Sequence, residues 1–228
     1  MITNIRGMSG SGKSTAVRNI MERYPTLNVL LTDKKRPLLY KCSGLAEYND
    51  LIVLGPYDQK NSVQGADSID NNDRIRLLLT TYDDLGYDVL FEHFMLSGNV
   101  SFMLDLANEG RKVNVCRLDV PKAQVALQRQ NRSIANGGTG QFSATSFKHD
   151  DSKILESFDK LSLEPNVNTM VITQTDAVTK YYQMVKPAVV NNIVDNTDLW
   201  ELKCKYKNLK GEKKQSRLDK ISLGDLFE

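Results

Sequence analysis

The residues best suited to chemistry lie near the start of the chain, in the segment GMSGSGKS at positions 7–14. This segment fits the pattern G-x-x-x-x-G-K-[ST], and it stands between a short apolar stretch and a helical pattern, which is the context that a phosphate-binding loop requires. The backbone amides of such a loop point into one concavity, and the following helix directs its positive end at the same place. The residues predicted to bind a nucleoside triphosphate are Gly7, Ser9, Gly10, Ser11, Gly12, Lys13, Ser14 and Thr15.

Two side chains of this segment have distinct predicted roles. Lys13 is expected to reach the β- and γ-phosphates of ATP, and the Ser14 hydroxyl is expected to bind Mg²⁺. Glu92 ends the apolar run Val89-Leu90-Phe91, and a carboxylate at the end of a strand can orient Mg²⁺ through water or contact the acceptor. The sequence therefore predicts ATP and Mg²⁺ at one site, with Ser14 and Glu92 as the metal-binding residues.

Other classes of phosphate-binding-loop protein fit the sequence less well. A GTPase needs a guanine-reading NKxD run, which the sequence lacks, and motor ATPases usually carry an Asp-Glu pair at the end of an apolar strand. The chain has 228 residues, and its phosphate-binding loop lies at the extreme N-terminus. This layout is typical of a small phosphotransferase.

A later segment has the features of a mobile lid. Arg129 and Arg132 are three residues apart and therefore share one face of a helix predicted from residue 121 to about 130. Residues 132–149 are rich in Gly, Ser and Thr and lack periodicity, which predicts a flexible surface loop. Kinases stabilise the charge that develops during phosphoryl transfer with guanidinium groups that close over the nucleotide. We therefore predict a lid at about residues 129–149, with Arg129 and Arg132 as catalytic residues.

The candidate catalytic base is Asp33, which follows an apolar strand at residues 28–32. Ligands of open parallel sheets bind at the carboxyl ends of the strands, so Asp33 is expected to face the site that Lys13 enters. There it could accept the proton of an acceptor hydroxyl. The spacing of Asp33 and Arg36 after the phosphate-binding loop also resembles that of polynucleotide 5′-hydroxyl kinases. That resemblance implies that Asp33 is the general base and that Arg36 is a positive charge of the active site.

A second resemblance covers most of residues 1–186. The motifs LGPY at 54–57, GADSI at 65–69, DRI at 73–75 and VLFE at 89–92, with a Leu-Phe pair near the C-terminus, are similar to those of small bacteriophage kinases. Some of these enzymes phosphorylate 5-hydroxymethyluridine that is already in phage DNA. Tyr57 and Asp67 stand in a loop rich in Gly, Asn and Asp, where they could hydrogen-bond a base edge or a sugar, and together with Arg74 they are the candidate substrate residues. His93, Ala66 and Arg74 depart from the pattern, which has Gly, Gly and Glu at these positions, and all three lie on the expected acceptor side.

The remaining sequence defines a two-part organisation. Apolar strands alternate with helical patterns, which predicts an α/β fold of the P-loop NTPase, nucleoside/nucleotide kinase-like type, with a mainly parallel sheet flanked by helices. We expect a kinase domain at residues 1–186 and a basic C-terminal extension at 187–228. Residues 203–220 hold eight Lys or Arg against two acids, with Trp200 and Tyr206 nearby, a composition suited to DNA contact.

Composition restricts the location of the protein. The net charge is +2, the three cysteines are far apart, and no apolar run approaches the ~18–20 residues of a membrane span. The chain starts in an apolar strand without the layout of a signal peptide. These features predict a cytoplasmic protein without a membrane partner, in the host cytoplasm if a phage encodes it, and they leave the oligomeric state open.

The favoured hypothesis is an ATP-dependent kinase that phosphorylates a hydroxyl on nucleic acid, with 5-hydroxymethyluracil in phage DNA as the acceptor. A nucleoside or nucleotide monophosphate kinase is an alternative, in which Arg74 and Arg76 would grip the acceptor phosphate. A non-catalytic ATP-binding module is a second alternative.

Overall fold

The computed structural model describes residues 1–33, 36–57, 65–69, 71–141 and 143–185, apart from the side chains of Thr32, Asp33, Met95 and Ser97. The predicted basic extension at 187–228 lies outside the described residues, as does the loop between Tyr57 and Gly65.

In the described part of the chain, seven strands form one sheet: β1 (Ile2–Arg6), β2 (Thr26–Asp33), β3 (Arg36–Ser43), β4 (Leu51–Leu54), β5 (Asp88–Glu92), β6 (Val113–Leu118) and β7 (Val167–Ile172). Their order is β2-β3-β4-β5-β1-β6-β7. The five strands from β4 to β7 in this order are mutually parallel. β2 and β3 form an antiparallel hairpin that joins the edge of β4. The prediction of a mainly parallel α/β sheet is confirmed.

Among the residues that the structure describes, six helices accompany the sheet: α1 (Lys13–Met21), α2 (Asn72–Asp84), α3 (Ser101–Asn108), α4 (Lys122–Ala135), α5 (Ala144–Ser162) and α6 (Ala177–Met184). Two short 3₁₀ turns, Gly65–Ser68 and Met95–Gly98, follow β4 and β5 and lead into α2 and α3. No helix in the described part of the chain has the length and apolar character that crossing a membrane would require.

Two apolar cores cover the two faces of the sheet. In β5, Val89 and Phe91 belong to the core formed with α2, α3 and α5, and Leu90 belongs to the core formed with α1 and α6. This alternation follows from the two-residue period of a strand, which sends successive side chains to opposite faces. Full burial of an aliphatic side chain contributes about 1.5–3 kcal/mol. The two cores therefore hold the strand ends of the candidate site in fixed relative positions.

The segment predicted as a flexible loop at residues 132–149 is mostly helical, so this prediction is wrong. α4 continues to Ala135, and α5 begins at Ala144, where the Ser143 hydroxyl accepts a hydrogen bond from the Ser146 amide at 3.2 Å. Ile154 and Leu161 of α5 are buried one heptad apart against the rest of the fold. These apolar residues are sparse in a polar segment, which concealed the helix, and the connecting loop contains only residues 136–143.

Candidate active site

The phosphate-binding loop connects β1 to α1 and is packed tightly against the connection between β7 and α6. Gly12 adopts the left-handed conformation at φ +91°, and a Cβ atom there would lie 2.2 Å from Gln174 Nε2. Gln174 Nε2 donates a hydrogen bond to the Ser11 carbonyl at 2.7 Å. The glycine thus permits both the turn and the close approach of Gln174. The sequence analysis missed Gln174, although its position just after an apolar strand could have indicated it.

Lys13 is enclosed at the centre of the site. Its ammonium group donates to the carbonyls of Gly7 at 2.9 Å and Met8 at 3.1 Å. It lies 4.0 Å from Glu92 Oε2 and 5.7 Å from the centroid of the Phe94 ring. Burial lowers the pKa of Lys13, an effect that the negative charges of Glu92 and Asp67 oppose. The loop therefore presents a single enclosed cation with two carboxylates nearby.

Glu92 meets Ser14 because β5 is the immediate neighbour of β1, with Ile5 opposite Glu92 in the parallel register. The Ser14 hydroxyl donates a hydrogen bond to Glu92 Oε1. Burial raises the pKa of Glu92, whereas the Lys13 charge and the Ser14 hydroxyl act in the opposite direction. The structure thus brings together the two residues predicted to bind metal.

The Ser14–Glu92 pair offers the donor types that Mg²⁺ prefers. Mg²⁺ takes oxygen ligands and is usually held by one or two protein groups together with water and substrate phosphates. Among the described residues, there is no group of three or more His, Cys, Asp or Glu side chains that could hold a metal ion. The donor set therefore fits a magnesium ion shared with phosphate oxygens rather than a metal held by protein ligands alone.

Asp67 is a second carboxylate near Lys13, held in the 3₁₀ turn that follows β4. Both of its carboxylate oxygens lie 2.9 Å from the Phe94 amide nitrogen, and Oδ1 lies 2.9 Å from His93 Nδ1. Burial favours the protonated form, but hydrogen bonds from His93 and Phe94 and the charge of Lys13 outweigh burial and lower the pKa of Asp67. The side chain of Asp67 is 23% exposed, compared with 4% for Glu92. Asp67 is thus an ionised carboxylate that solvent can reach.

His93 links this carboxylate to the next turn of the chain. Its Nδ1 atom lies 2.9 Å from Asp67 Oδ1 and 3.0 Å from the amide nitrogen of Leu96. Nδ1 can donate to the carboxylate or accept from the amide, but it cannot do both at once. The neighbouring negative charge favours the tautomer with a proton on Nδ1. The residue that departs from the phage motif thus fixes the position of Asp67.

The end of β2, which leads into Asp33, is not next to β1 in the strand order, contrary to the expectation that it lies beside Lys13. Asp33 pairs with Arg36 at the tip of the β2–β3 hairpin, and β3, β4 and β5 separate β2 from β1. Four strand spacings of about 4.8 Å place β2 roughly 19 Å from β1. The sequence analysis could not foresee that an antiparallel hairpin is added outside the parallel strands.

Two predicted substrate residues lie in the protein interior. Tyr57 is 7% exposed, and its carbonyl accepts a hydrogen bond from Arg18 Nε at 3.4 Å. Burial, with a further contribution from Glu92, raises the pKa of Tyr57. Arg74 of α2 is only 1% exposed. Its side chain is therefore not accessible to an acceptor in this structure. Arg18 was missed from the sequence because its helical position resembles that of any solvated arginine.

The two predicted lid arginines lie on α4 close to the phosphate-binding loop. A Cβ atom on Gly10 would lie 2.8 Å from Arg129 Cγ, and the Arg129 guanidinium lies 5.6 Å from the centroid of the Phe147 ring. Arg132 is exposed. The charges of both arginines contribute to the lowered pKa of Lys13. The structure thus brings Arg129 and Arg132 to the phosphate site, on a helix rather than on a loop.

A glycine loop between a parallel strand and a helix, its lysine, and a serine paired with a strand-end carboxylate define a P-loop protein of the kinase type. The profile of the 5-hmdU DNA kinase family matches residues 2–180. The chain belongs to this family.

Similarity to individual proteins is more limited. A relative described as 5-hmdU DNA kinase, from Pseudomonas phage PaMx11, is 38% identical over 121 residues, which are 53% of this chain and 62% of the relative. The match thus spans less than two thirds of that relative. A gluconokinase structure from Sinorhizobium meliloti 1021 covers 92% of this chain and 95% of its own, with 15% identity and a TM-score of 0.40. A similarity of that size carries no information about the substrate.

Proposed function

We propose that this protein transfers the γ-phosphate of ATP to the 5-hydroxymethyl group of 5-hydroxymethyluracil in DNA. The observation that carries the proposal is the match of residues 2–180 to the 5-hmdU DNA kinase family. The arrangement of Lys13, Ser14, Glu92 and Asp67 supports it, because the chemistry needs a phosphate cradle, a metal-binding pair and a carboxylate for the acceptor.

The loop amides and Lys13 bind the triphosphate. Lys13 donates to the carbonyls of Gly7 and Met8, and in this proposal it exchanges these contacts for phosphate oxygens. Ser14 and Glu92 would hold Mg²⁺, which offsets the negative charge of the β- and γ-phosphates when bound. Glu92 is suited to this role because it is enclosed and already contacts Ser14.

Asp67 replaces Asp33 as the proposed general base. Its lowered pKa keeps it ionised at neutral pH, and it is more exposed than Glu92. The acceptor hydroxyl loses its proton to Asp67 Oδ2 while its oxygen forms a bond to the γ-phosphorus. The bond between that phosphorus and the β–γ bridging oxygen breaks, and ADP leaves. His93 and Phe94 hold Asp67 in place through this step.

Arg129 and Arg132 complete the site on the nucleotide side. Their positive charges act close to Lys13, where charge gathers on the transferring phosphoryl group. We keep the predicted division into a kinase domain at 1–186 and an extension at 187–228 that contacts DNA. We also place the reaction in the cytoplasm of an infected cell, where phage DNA is available.

A transfer assay with several acceptors tests the proposal. The protein is incubated with Mg²⁺, γ-labelled ATP and, in separate reactions, DNA duplexes that carry 5-hydroxymethyluracil or thymine at one position, oligonucleotides with a 5′-hydroxyl end, and nucleoside monophosphates. We expect label on the hydroxymethyluracil DNA alone. Label on nucleoside monophosphates or on 5′-hydroxyl ends, with none on the modified base, would contradict the proposed acceptor. ATP binding without transfer to any acceptor would contradict the kinase activity itself.

A further inference from the structure

A groove outside the catalytic cluster runs between residues 98–101, which lead into α3, and helix α5. It encloses about 480 Å³. Lys153, Glu156, Ser157 and Lys160 of α5 line its second wall. Lys153 and Lys160 are seven residues apart, which is about two helical turns, so both face the groove.

A buried arginine, Arg6, is hydrogen-bonded to two residues of the groove. The Arg6 guanidinium is inaccessible to solvent and donates hydrogen bonds to the Asn99 carbonyl at 2.9 Å and to Ser157 Oγ at 2.7 Å. Burial lowers the pKa of Arg6 to about 10, which leaves it charged at neutral pH. The groove is therefore lined by two lysines, Lys153 and Lys160, and one carboxylate, Glu156, with the Arg6 charge beneath them.

The groove lies on the acceptor side of the site. Phe94, which hydrogen-bonds Asp67 through its amide and lies near Lys13, is followed directly by the 3₁₀ turn Met95–Gly98. Four residues of 3₁₀ helix span about 8 Å. Successive nucleotides of one strand are about 3.4 Å apart along a DNA helix axis. Measured along this turn, the groove therefore begins about 8 Å from Phe94, a length comparable to two or three nucleotide steps.

We propose that this groove binds backbone phosphates of the DNA strand next to the target nucleotide, through Lys153 and Lys160. The inference rests on the proposed function and names the surface by which the same site recognises a polymer. Phosphates fit this groove because two flexible ammonium groups at its rim act as point charges for anions, and the buried Arg6 adds a positive potential below them. Glu156 limits the affinity and keeps the contact weak.

The test compares Lys153→Ala and Lys160→Ala with Lys112→Ala, a matched loss of charge at an exposed residue just before β6. Lys112 lies at the amino-terminal end of the parallel strands, whereas residues 98–101 of the groove follow the carboxyl end of β5. Acceptors are a hydroxymethyluracil oligonucleotide, the free deoxynucleoside and its 5′-monophosphate. Each groove variant should raise KM for the oligonucleotide several-fold and leave KM for the deoxynucleoside unchanged. Each should also reduce the salt slope of oligonucleotide binding by about 1. Glu156→Gln should lower the same KM, a direction that loss of folding could not produce.

Two results would overturn the inference. One is an unchanged oligonucleotide KM and salt slope in both lysine variants. The other is an equal rise in KM for the 5′-monophosphate and for the oligonucleotide, which would assign the groove to a terminal phosphate of a free nucleotide. If the unaltered protein phosphorylates none of the acceptors, the proposed function fails, and oligonucleotide binding measured by fluorescence anisotropy still decides whether the lysines contact DNA.

Discussion

The carboxyl ends of β5 and β2 each present an acidic residue, but the fold uses these two ends differently. Glu92 at the end of β5 lies beside the phosphate-binding loop because β5 pairs directly with β1. Asp33 at the end of β2 pairs with Arg36 in the outermost hairpin, with three strands between β2 and β1. An acid that follows an apolar strand is therefore insufficient evidence for a catalytic role, since the order of the strands decides which acid meets the nucleotide.

Asp67 is a further carboxylate near Lys13, and its place in the fold differs from that of both strand-end acids. Asp67 stands in a 3₁₀ turn rather than at a strand end, and its position depends on the Phe94 amide and on His93. We therefore propose Asp67, which is hydrogen-bonded to the residues after β5, as the general base in place of Asp33 at the end of β2.

The largest effect is expected from removing Lys13, the cation that lies near both Glu92 and Asp67. Lys13→Ala should lower kcat by roughly 10³ or more, by comparison with the arginine finger of GTPases, a positive charge on the transferring phosphoryl group that is worth about 10³–10⁵ in kcat. Single-turnover transfer from γ-labelled ATP measures the loss. Circular dichroism of the variant serves as the folding control. A variant that retains a tenth of the activity would show that Lys13 does not contact the transferring phosphate.

The next effect separates the two candidate bases. Asp67→Asn should lower kcat by about 10²–10⁴, the contribution of a positioned general base, with little change in KM for ATP. Asp33→Asn should leave kcat within about twofold, because its strand lies roughly 19 Å from β1. Steady-state kinetics of both variants on the same DNA measure the difference. A large loss in Asp33→Asn with a small one in Asp67→Asn would return the catalytic role to the hairpin.

A smaller effect is expected from disturbing the contact between the turn of Asp67 and Glu92. Gly65 has φ +65°, and a Cβ atom there would lie 2.5 Å from Glu92 Cγ. Gly110→Ala is the matched control, since Gly110 has φ +81° and nothing lies within 4 Å of its added Cβ. Both variants carry a conformational cost of about 1–2 kcal/mol. Gly65→Ala should lower the free energy of unfolding, measured in urea, by more than Gly110→Ala does, and it should also lower kcat. Equal losses of stability in the two variants would show that an added Cβ at Gly65 does not displace Glu92.

Local signals in the sequence predicted part of this arrangement. The phosphate-binding loop is a contiguous motif, and β4 is equally local, because its four apolar residues in a row, Leu51–Leu54, define a buried strand. The closeness of Glu92 and Ser14 could be predicted, because the carboxyl ends of parallel strands lie together at the edge of the sheet where ligands bind. The outer position of β2 could not, because strand order depends on pairing between distant segments. Helix α5 was missed because its buried residues are separated by polar stretches.

The smallest effect compares the stability of the β2–β3 hairpin with that of the parallel part of the sheet, through the thiols of Cys42 in β3 and Cys116 in β6. Both are buried, and burial raises the pKa of each to about 12, so reaction with a thiol reagent at pH 8 requires local opening. In a Cys204→Ser variant, mass spectrometry of tryptic peptides follows the two sites separately. Both strands lie beside an edge strand, but β2, next to β3, leaves Leu27 51% and Val29 48% exposed, whereas β7, next to β6, buries Val167 and Ile172. Cys42 should therefore be labelled faster than Cys116. Equal labelling rates at Cys42 and Cys116 would mean that the hairpin opens only when the whole domain opens. The distance between the ends of β2 and β5 would then be a rigid feature of the fold.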